Sequence, residues 1–375
     1  MNGNTIDTRG GTSQYQSLGT TFTPTRYTTV QGFFKQADPK FNSKGYDLLD
    51  DSFGLIEQGP NRWHIFHAQI DKLNREADKQ TTYKVVYLAR HGQGYHNLAE
   101  SKYGTAAWDA YWSRLETDGN ITVGPISICL FYSCSMAADL HSGLLHLKWG
   151  PDPPLTPLGR QQAEDINTAW KRQVAEGVPL PERLYSSPFT RAADTLRNTW
   201  HDILLNKGLK PLILERLRET IGCHTCDKRS EKTIIRERFP TYDIEPGFSE
   251  HDQLWSADYQ ESPRQQALRI QQQLNQIFDT DPSTFISITA HSGVINAFFR
   301  VVEHPDVSIL PGGFVPIVVR ATRCVEHIRD KWLEVTIHCS DPGFITGSDS
   351  NERGQSFAGG QAVYAGPFDG KLPPP

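Results

Sequence analysis

From residue 84 onward, short apolar runs alternate with longer stretches in which apolar residues recur every three or four positions. A continuous apolar run bounded by polar residues reads as a buried strand; a period near 3.6 reads as a helix packed on one face. Val85 to Leu88, Leu184 to Ser186, Pro211 to Leu214 and Phe285 to Ala290 are predicted strands, followed by two late ones, Ile317 to Ala321 and Trp332 to His338. Helices are predicted from Thr156 to Ala175, Arg191 to about Leu205, Pro263 to Phe278 and Gly293 to Val302. Thr156 stands as an N-cap, Pro157 lies in the first turn and Gly177 falls just past the end. Alternating strands and helices imply an α/β protein, a three-layer α/β/α sandwich with a mostly parallel central sheet.

Around this pattern the chain changes character. Residues 1 to about 30 are rich in Gly, Ser, Thr and Gln and are expected to stay loose except where they dock. Residues 46 to 80 mix apolar and charged positions and read as an N-terminal extension of a single domain spanning 31 to 340. Residues 341 to 375 are rich in Gly, Ser and Pro and read as a tail without its own fold.

One segment breaks the pattern. Residues 123 to 148 form an apolar insert between polar stretches, too broken to span a membrane, which needs about 20 apolar residues. The plain reading is a buried loop or short helix. The sharper one is a retained intron or annotation artefact, because deletion joins Asp118–Thr122 to Trp149-Gly150-Pro151 in a polar turn leading to Leu155 and Thr156. Sequencing the transcript decides between them.

Composition narrows the class. With 37% hydrophobic and 10% aromatic residues the chain has material for a sizeable core. A net charge of -5 provides no whole-molecule attraction to nucleic acid or anionic lipid, so any phosphate affinity must be local. Six cysteines fall short of a disulfide framework and favour a reducing compartment. The N-terminus lacks a secretory layout, and the expectation is a cytoplasmic protein with no nucleic-acid or membrane partner. Its oligomeric state is open.

Three fragments carry the chemistry. Arg90-His91-Gly92 follows the strand at Val85, Ser187-Pro188 leads to Arg191, and His291-Ser292-Gly293 follows the strand at Phe285. Strands of an open sheet deliver such residues to its carboxyl edge, where ligands bind. A phosphomonoester repels nucleophiles by its own charge, so catalysis is mostly positioning and electrostatic stabilisation. Arg90 and Arg191 suit a planar, bidentate phosphate clamp. His91 is the candidate nucleophile, with the arginines disfavouring its protonation. His291 would bond the transferring oxygens. Glu219, in a probable-loop context after a strand, is the candidate proton donor to the leaving alcohol.

These fragments resemble branch 1 of the histidine phosphatase (phosphoglycerate mutase-like) superfamily, particularly its fungal phosphomutase-like members, over residues 84 to 322. The family's Arg-His-Gly motif with a following asparagine falls on Arg90, His91, Gly92 and Asn97. Its Leu-Thr-x-x-Gly element falls on Leu155, Thr156 and Gly159, and its Ser-Pro-x-x-Arg-Ala-x-x-Thr element on Ser187, Pro188, Arg191, Ala192 and Thr195. Its second histidine falls on His291, before Ser292 and Gly293, and its acidic donor on Glu219, where the spacing varies. The resemblance implies a phosphoglycerate mutase-like fold and phospho-histidine chemistry on a small phosphorylated substrate. It implies no metal or other cofactor, and phosphate contacts from Asn97 and Thr156. After Glu219 the chain reads Thr-Ile-Gly-Cys-His-Thr-Cys where glycolytic mutases carry His-Tyr-Gly, which favours a phosphatase over a mutase. A non-catalytic phosphate-binding protein is the rival of another class.

Cys223-His224-Thr225-Cys226 invites a zinc or redox reading, but no second Cys/His pair lies nearby and the motif is not placed between an early strand and a helix. Asp227, Lys228 and Arg229 read equally as pocket wall or solvated loop. His96 reads as a packed histidine or a supporting group, and Trp108, Tyr111 and Trp112 as an anchor or an apolar wall for the organic part of a substrate.

Overall fold

The structure, a computed structural model, describes residues 25–42, 46–49, 51–118 and 147–324. In chain order the strands and α-helices are β1 (Thr25–Thr29), α1 (Arg62–Glu76), β2 (Thr81–Arg90), α2 (Tyr95–Tyr103), α3 (Thr105–Ala110), α4 (Pro157–Ala175), β3 (Arg183–Ser186), α5 (Thr190–Trp200), β4 (Leu212–Ile213), α6 (Lys232–Arg238), β5 (Asp243–Ile244), α7 (Pro263–Thr280), β6 (Phe285–Ala290), α8 (Ser292–Val301) and β7 (Phe314–Arg323). The sheet order is β1-β7-β2-β6-β3-β4-β5. Every pair from β2 to β5 is parallel, and β7 runs antiparallel to both β2 and β1.

Strand alternation builds the three layers. Val85 and Tyr87 face a core with Trp63 and Phe66 of α1, Trp170 of α4 and Leu196 of α5. Val86 and Leu88 face the other core, with Ile270 and Leu274 of α7 and Phe298 of α8. Buried on both faces, β2 needs its continuous apolar run Val85–Leu88, and β6 is apolar except for the buried hydroxyls of Ser287 and Thr289. The expected mostly parallel α/β/α sandwich is the observed fold.

Two details of the strands have local causes. Thr25–Thr29, within the stretch expected to be loose, are a docking point: they pair with Val319–Arg323 and close the sheet edge. The strand expected from Ile317 starts at Phe314; β1 reaches only to Val319, so Pro316 sits where one side of the strand is uncovered, a position proline tolerates. The strand expected over Trp332 to His338 lies outside the described residues, as do the tail from 341 and most of the apolar insert.

The described end of that insert corrects its boundary. Leu147, assigned to the insert, is buried with Ala99, Trp108 and Trp149, and Lys148 forms an antiparallel bridge with Thr117. The domain therefore resumes at Leu147. Trp149 N–H donates to Glu116 O at 2.8 Å, so the chain leaves and re-enters at adjacent points. Bridged residues lie only about 5 Å apart, a gap that a two-residue hairpin turn closes. Replacing residues 119–146 with Asn-Gly should keep a cooperative thermal unfolding whose midpoint moves by no more than about 4 °C, roughly 1 kcal/mol. A variant that fails to unfold cooperatively would show that the segment belongs to the core.

Among the described residues no helix is long and apolar enough to cross a membrane.

Candidate active site

Register places the two motif histidines side by side. Arg90 ends β2 directly opposite Ala290 at the end of β6, so the next residue of each strand, His91 and His291, emerges from neighbouring positions of one edge. Ser186 of β3 pairs with Thr289, which brings Ser187 to the same edge. The imidazole centroids of His91 and His291 lie 5.0 Å apart. Both rings are fully enclosed, at 1% and 0% exposure.

Close backbone packing fixes the loop carrying His91. A Cβ on Gly92 would fall 2.2 Å from Gly159 O, and one on Gly159 would fall 2.1 Å from Gln93 O, so only glycines permit this contact. Thr156 caps α4 by accepting from Gly159 N–H at 3.1 Å, and its hydroxyl donates to Gln93 Oε1 at 2.8 Å. Thr195 accepts from Gly92 N–H at 2.9 Å and donates to Arg191 O at 2.8 Å. The Leu-Thr-x-x-Gly element and Thr195 are thus the seat of the His91 loop.

A cavity of about 290 Å³ opens on this edge, lined by Arg90, His91, His96, Asn97, Arg191 and Glu219, with Ser292 and Gly293 at the first turn of α8. Thr156 does not line it, which corrects its expected phosphate contact: its oxygen is spent on the cap and on Gln93. Asn97 does line it, while its Oδ1 accepts from Gly94 N–H at 3.0 Å and caps α2. His291 is not among the lining residues, but its ring lies 5.0 Å from that of His91, which is, and its Nδ1, unlike the Thr156 hydroxyl, has no protein partner.

Hydrogen bonds set the imidazole states. His91 Nδ1 is 2.7 Å from Gly92 O, a pure acceptor, so Nδ1 carries the proton and Nε2 keeps its lone pair. Burial, then the charges of Arg191 and Arg90, hold His91 well below the usual histidine range. Burial is the larger cause, ahead of the arginines that sequence reasoning invoked. His291 Nε2 meets Ser187 Oγ at 2.7 Å, and its Nδ1 is buried without a partner. His96, whose centroid is 5.3 Å from that of His91, is likewise depressed, by burial and then Arg191.

The guanidiniums are held from behind. Arg90 Nη1 donates to Ile309 O at 2.8 Å. Arg191, wholly buried, donates to Cys226 O at 2.9 Å and pairs with Asp227 Oδ1 at 3.0 Å, over the Phe189 ring. The Nε atoms of both are buried without partners. A buried donor left unbonded costs about 1–3 kcal/mol. Arg90 Nε, Arg191 Nε and His291 Nδ1 together suit a ligand rich in acceptor oxygens.

Glu219 is rigidly placed. Buried Arg218 clasps Asp252 through two bonds of 2.8 and 2.7 Å, and Arg269 donates to the carbonyls of Arg216, Arg218 and Glu219. Its carboxylate accepts from Thr220 N–H at 3.0 Å and Gly293 N–H at 3.3 Å. A Cβ on Gly293 would sit 2.2 Å from Glu219 Oε1, so that glycine makes the room. Burial, then the like charge of Asp227, raises the Glu219 pKa. A carboxyl whose pKa is raised in this way holds its proton to higher pH than an ordinary glutamate, which suits a proton donor.

His224, Cys226 and Asp227 also bring potential metal-ligand atoms within 4.8 Å of one another on the cavity wall. Asp227 is engaged by Arg191, and burial pushes the Cys226 thiol well up, so a cation there would compete with the arginine and with a proton. Sequence reasoning missed the Ser187–His291 and Arg191–Asp227 pairs and left His96 open, since each depends on contacts between distant segments.

Residues 141–312 match the histidine phosphatase superfamily (branch 1). The chain is 35% identical over 325 residues to a protein of Arthroderma benhamiae named "Probable phosphoglycerate mutase", covering 83% of this chain and 89% of that one. A Saccharomyces cerevisiae protein named "Probable phosphoglycerate mutase PMU1" is 33% identical over 314 residues, covering 77% of this chain and 94% of that one. Among solved structures, a mycobacterial glucosyl-3-phosphoglycerate phosphatase aligns at 18% identity over 60% of this chain and 81% of its own, with a TM-score of 0.30.

Proposed function

The chain belongs to the histidine phosphatase superfamily (branch 1), and from that membership we propose that it is a phosphatase hydrolysing small phosphomonoesters through a phospho-histidine on His91. The observation that carries this reading is the His91 imidazole, neutral, with Nδ1–H tied to Gly92 O and Nε2 free beside the guanidiniums of buried Arg191 and half-buried Arg90. His91 Nε2 attacks phosphorus while the bond to the leaving alcohol oxygen breaks. Glu219 gives that oxygen its proton. Arg90, Arg191 and Asn97 hold the phosphoryl oxygens. With the Ser187 hydroxyl donating to His291 Nε2, the His291 Nδ1–H is left to bond one of them. Water then attacks the phospho-histidine, and the Glu219 carboxylate takes its proton back.

A phosphomutase is the second reading, favoured by the names of the fungal relatives and differing in whether an alcohol or water accepts the phosphoryl group. Thr220-Ile221-Gly222 in place of His-Tyr-Gly supports hydrolysis. Incubating the protein with small phosphate esters and with 3-phosphoglycerate separates the two. Hydrolysis releases phosphate in step with free alcohol. Accumulation of a positional isomer without phosphate would make the chain a mutase.

A further inference from the structure

We propose that the phosphoester this site accepts carries a neutral or cationic alcohol, a polyol or amino alcohol, and that a carboxylate or second phosphate is selected against. The inference rests on the phosphatase reading and names its substrate class. It follows from the charges lining one cavity. Among the described residues Arg90 and Arg191 are its only lysine or arginine side chains, and Arg191, fully buried with an unpartnered Nε, is suited to the transferring phosphoryl group. His91 and His96 are held neutral by burial. Two guanidiniums therefore match one phosphate dianion and leave no lysine or arginine over, and the third wall histidine, His224, faces Asp109 at 4.0 Å.

Farther out the wall is acidic. Glu100 of α2 and Asp109 of α3 both line the cavity, and Asp227 is already paired with Arg191. Lys228, next in the chain, is directed over the Trp255 ring and does not line the cavity. A second anion on the substrate would approach Glu100 and Asp109, where the nearest wall imidazole, His224, already has its Nε2 4.0 Å from Asp109 Oδ1, an arrangement that discriminates by repulsion. The remaining wall groups suit an uncharged or positive partner. Gln260 and Asn296 offer amides to hydroxyls, and Trp108 offers an indole that attracts cations.

The test compares kcat/KM for three esters of similar size: glycerol 3-phosphate, phosphoethanolamine and 3-phosphoglycerate. The first two should exceed the third by about 100-fold, the tenfold per like charge expected of partly screened groups. The Glu100→Gln/Asp109→Asn double variant, and separately raised salt, should narrow that ratio to below about tenfold. Equal or better use of 3-phosphoglycerate, or a ratio unmoved in the double variant, overturns the inference while leaving phosphatase activity in place. Should none of the three be hydrolysed, the phosphatase reading fails, and calorimetric binding of the same esters still decides the inference: 3-phosphoglycerate binding as tightly as the others refutes it.

Discussion

Replacing His91 with alanine should lower hydrolysis of alkyl phosphates by about 10⁴-fold or more, the scale seen when a covalent nucleophile is removed from a preorganised site. The side chain supplies the attacking atom, and nothing beside it substitutes: His291 Nε2 is committed to Ser187, and both histidines emerge from strand ends whose register is fixed by the β2–β6 ladder. The loss should be chemical, since Gly92 N–H remains on Thr195 and the Gly92–Gly159 packing does not involve the imidazole. Inorganic phosphate should still raise the thermal midpoint of the variant, because Arg90 and Arg191 are intact. Steady-state assays with thermal shifts check both halves. Residual activity within tenfold of wild type would remove His91 from the mechanism.

Glu219→Gln should cost about 10²–10⁴-fold with alkyl esters, the usual yield of general acid catalysis. The cost should shrink sharply with p-nitrophenyl phosphate, whose leaving group departs without a proton. A variant equally impaired on both would be structurally damaged. The pH dependence follows with a definite sign. Catalysis needs Glu219 protonated, so kcat/KM falls as pH rises through its elevated pKa. Asp227 contributes to that elevation, after burial, by like-charge repulsion. Asp227→Asn keeps an oxygen for Arg191 but deletes the charge, so the alkaline limb should move to lower pH. On the acid side His91 must be unprotonated, and its depressed pKa should extend activity below the ordinary histidine titration. An alkaline limb unmoved in Asp227→Asn would contradict the assignment of that limb to Glu219.

The sheet was legible because its central strands are buried on both faces and are dominated by apolar residues: Val85 to Leu88 without a break, and Phe285 to Ala290 with only Ser287 and Thr289 between apolar neighbours. Two-residue strands such as Leu212–Ile213 and Asp243–Ile244 carry little pattern, and only the first lay within a predicted strand. The site was legible where chemistry demands a residue type at a strand end, as for Arg90, His91 and His291, or in the helix turn that follows one, as for Arg191. It was not legible where a side chain's direction decides. Thr156 has the right chemistry to touch phosphate, yet its hydroxyl faces Gln93 and the α4 cap. Glu219 was readable as the candidate proton donor, but not how it is held in its loop. Its confinement comes from Arg269, 50 residues away in sequence, and from Arg218 clasping Asp252, 34 away. Such pairs exist only once the sheet has brought distant segments together.

The most direct test of covalent chemistry on His91 is rapid acid-free quenching of the protein with a ³²P-labelled monoester, followed by peptide mapping. The account predicts an acid-labile, base-stable label on the peptide containing His91, appearing before free phosphate and absent from His91→Ala. Steady hydrolysis with no label on His91, or with the label on another side chain, would contradict it.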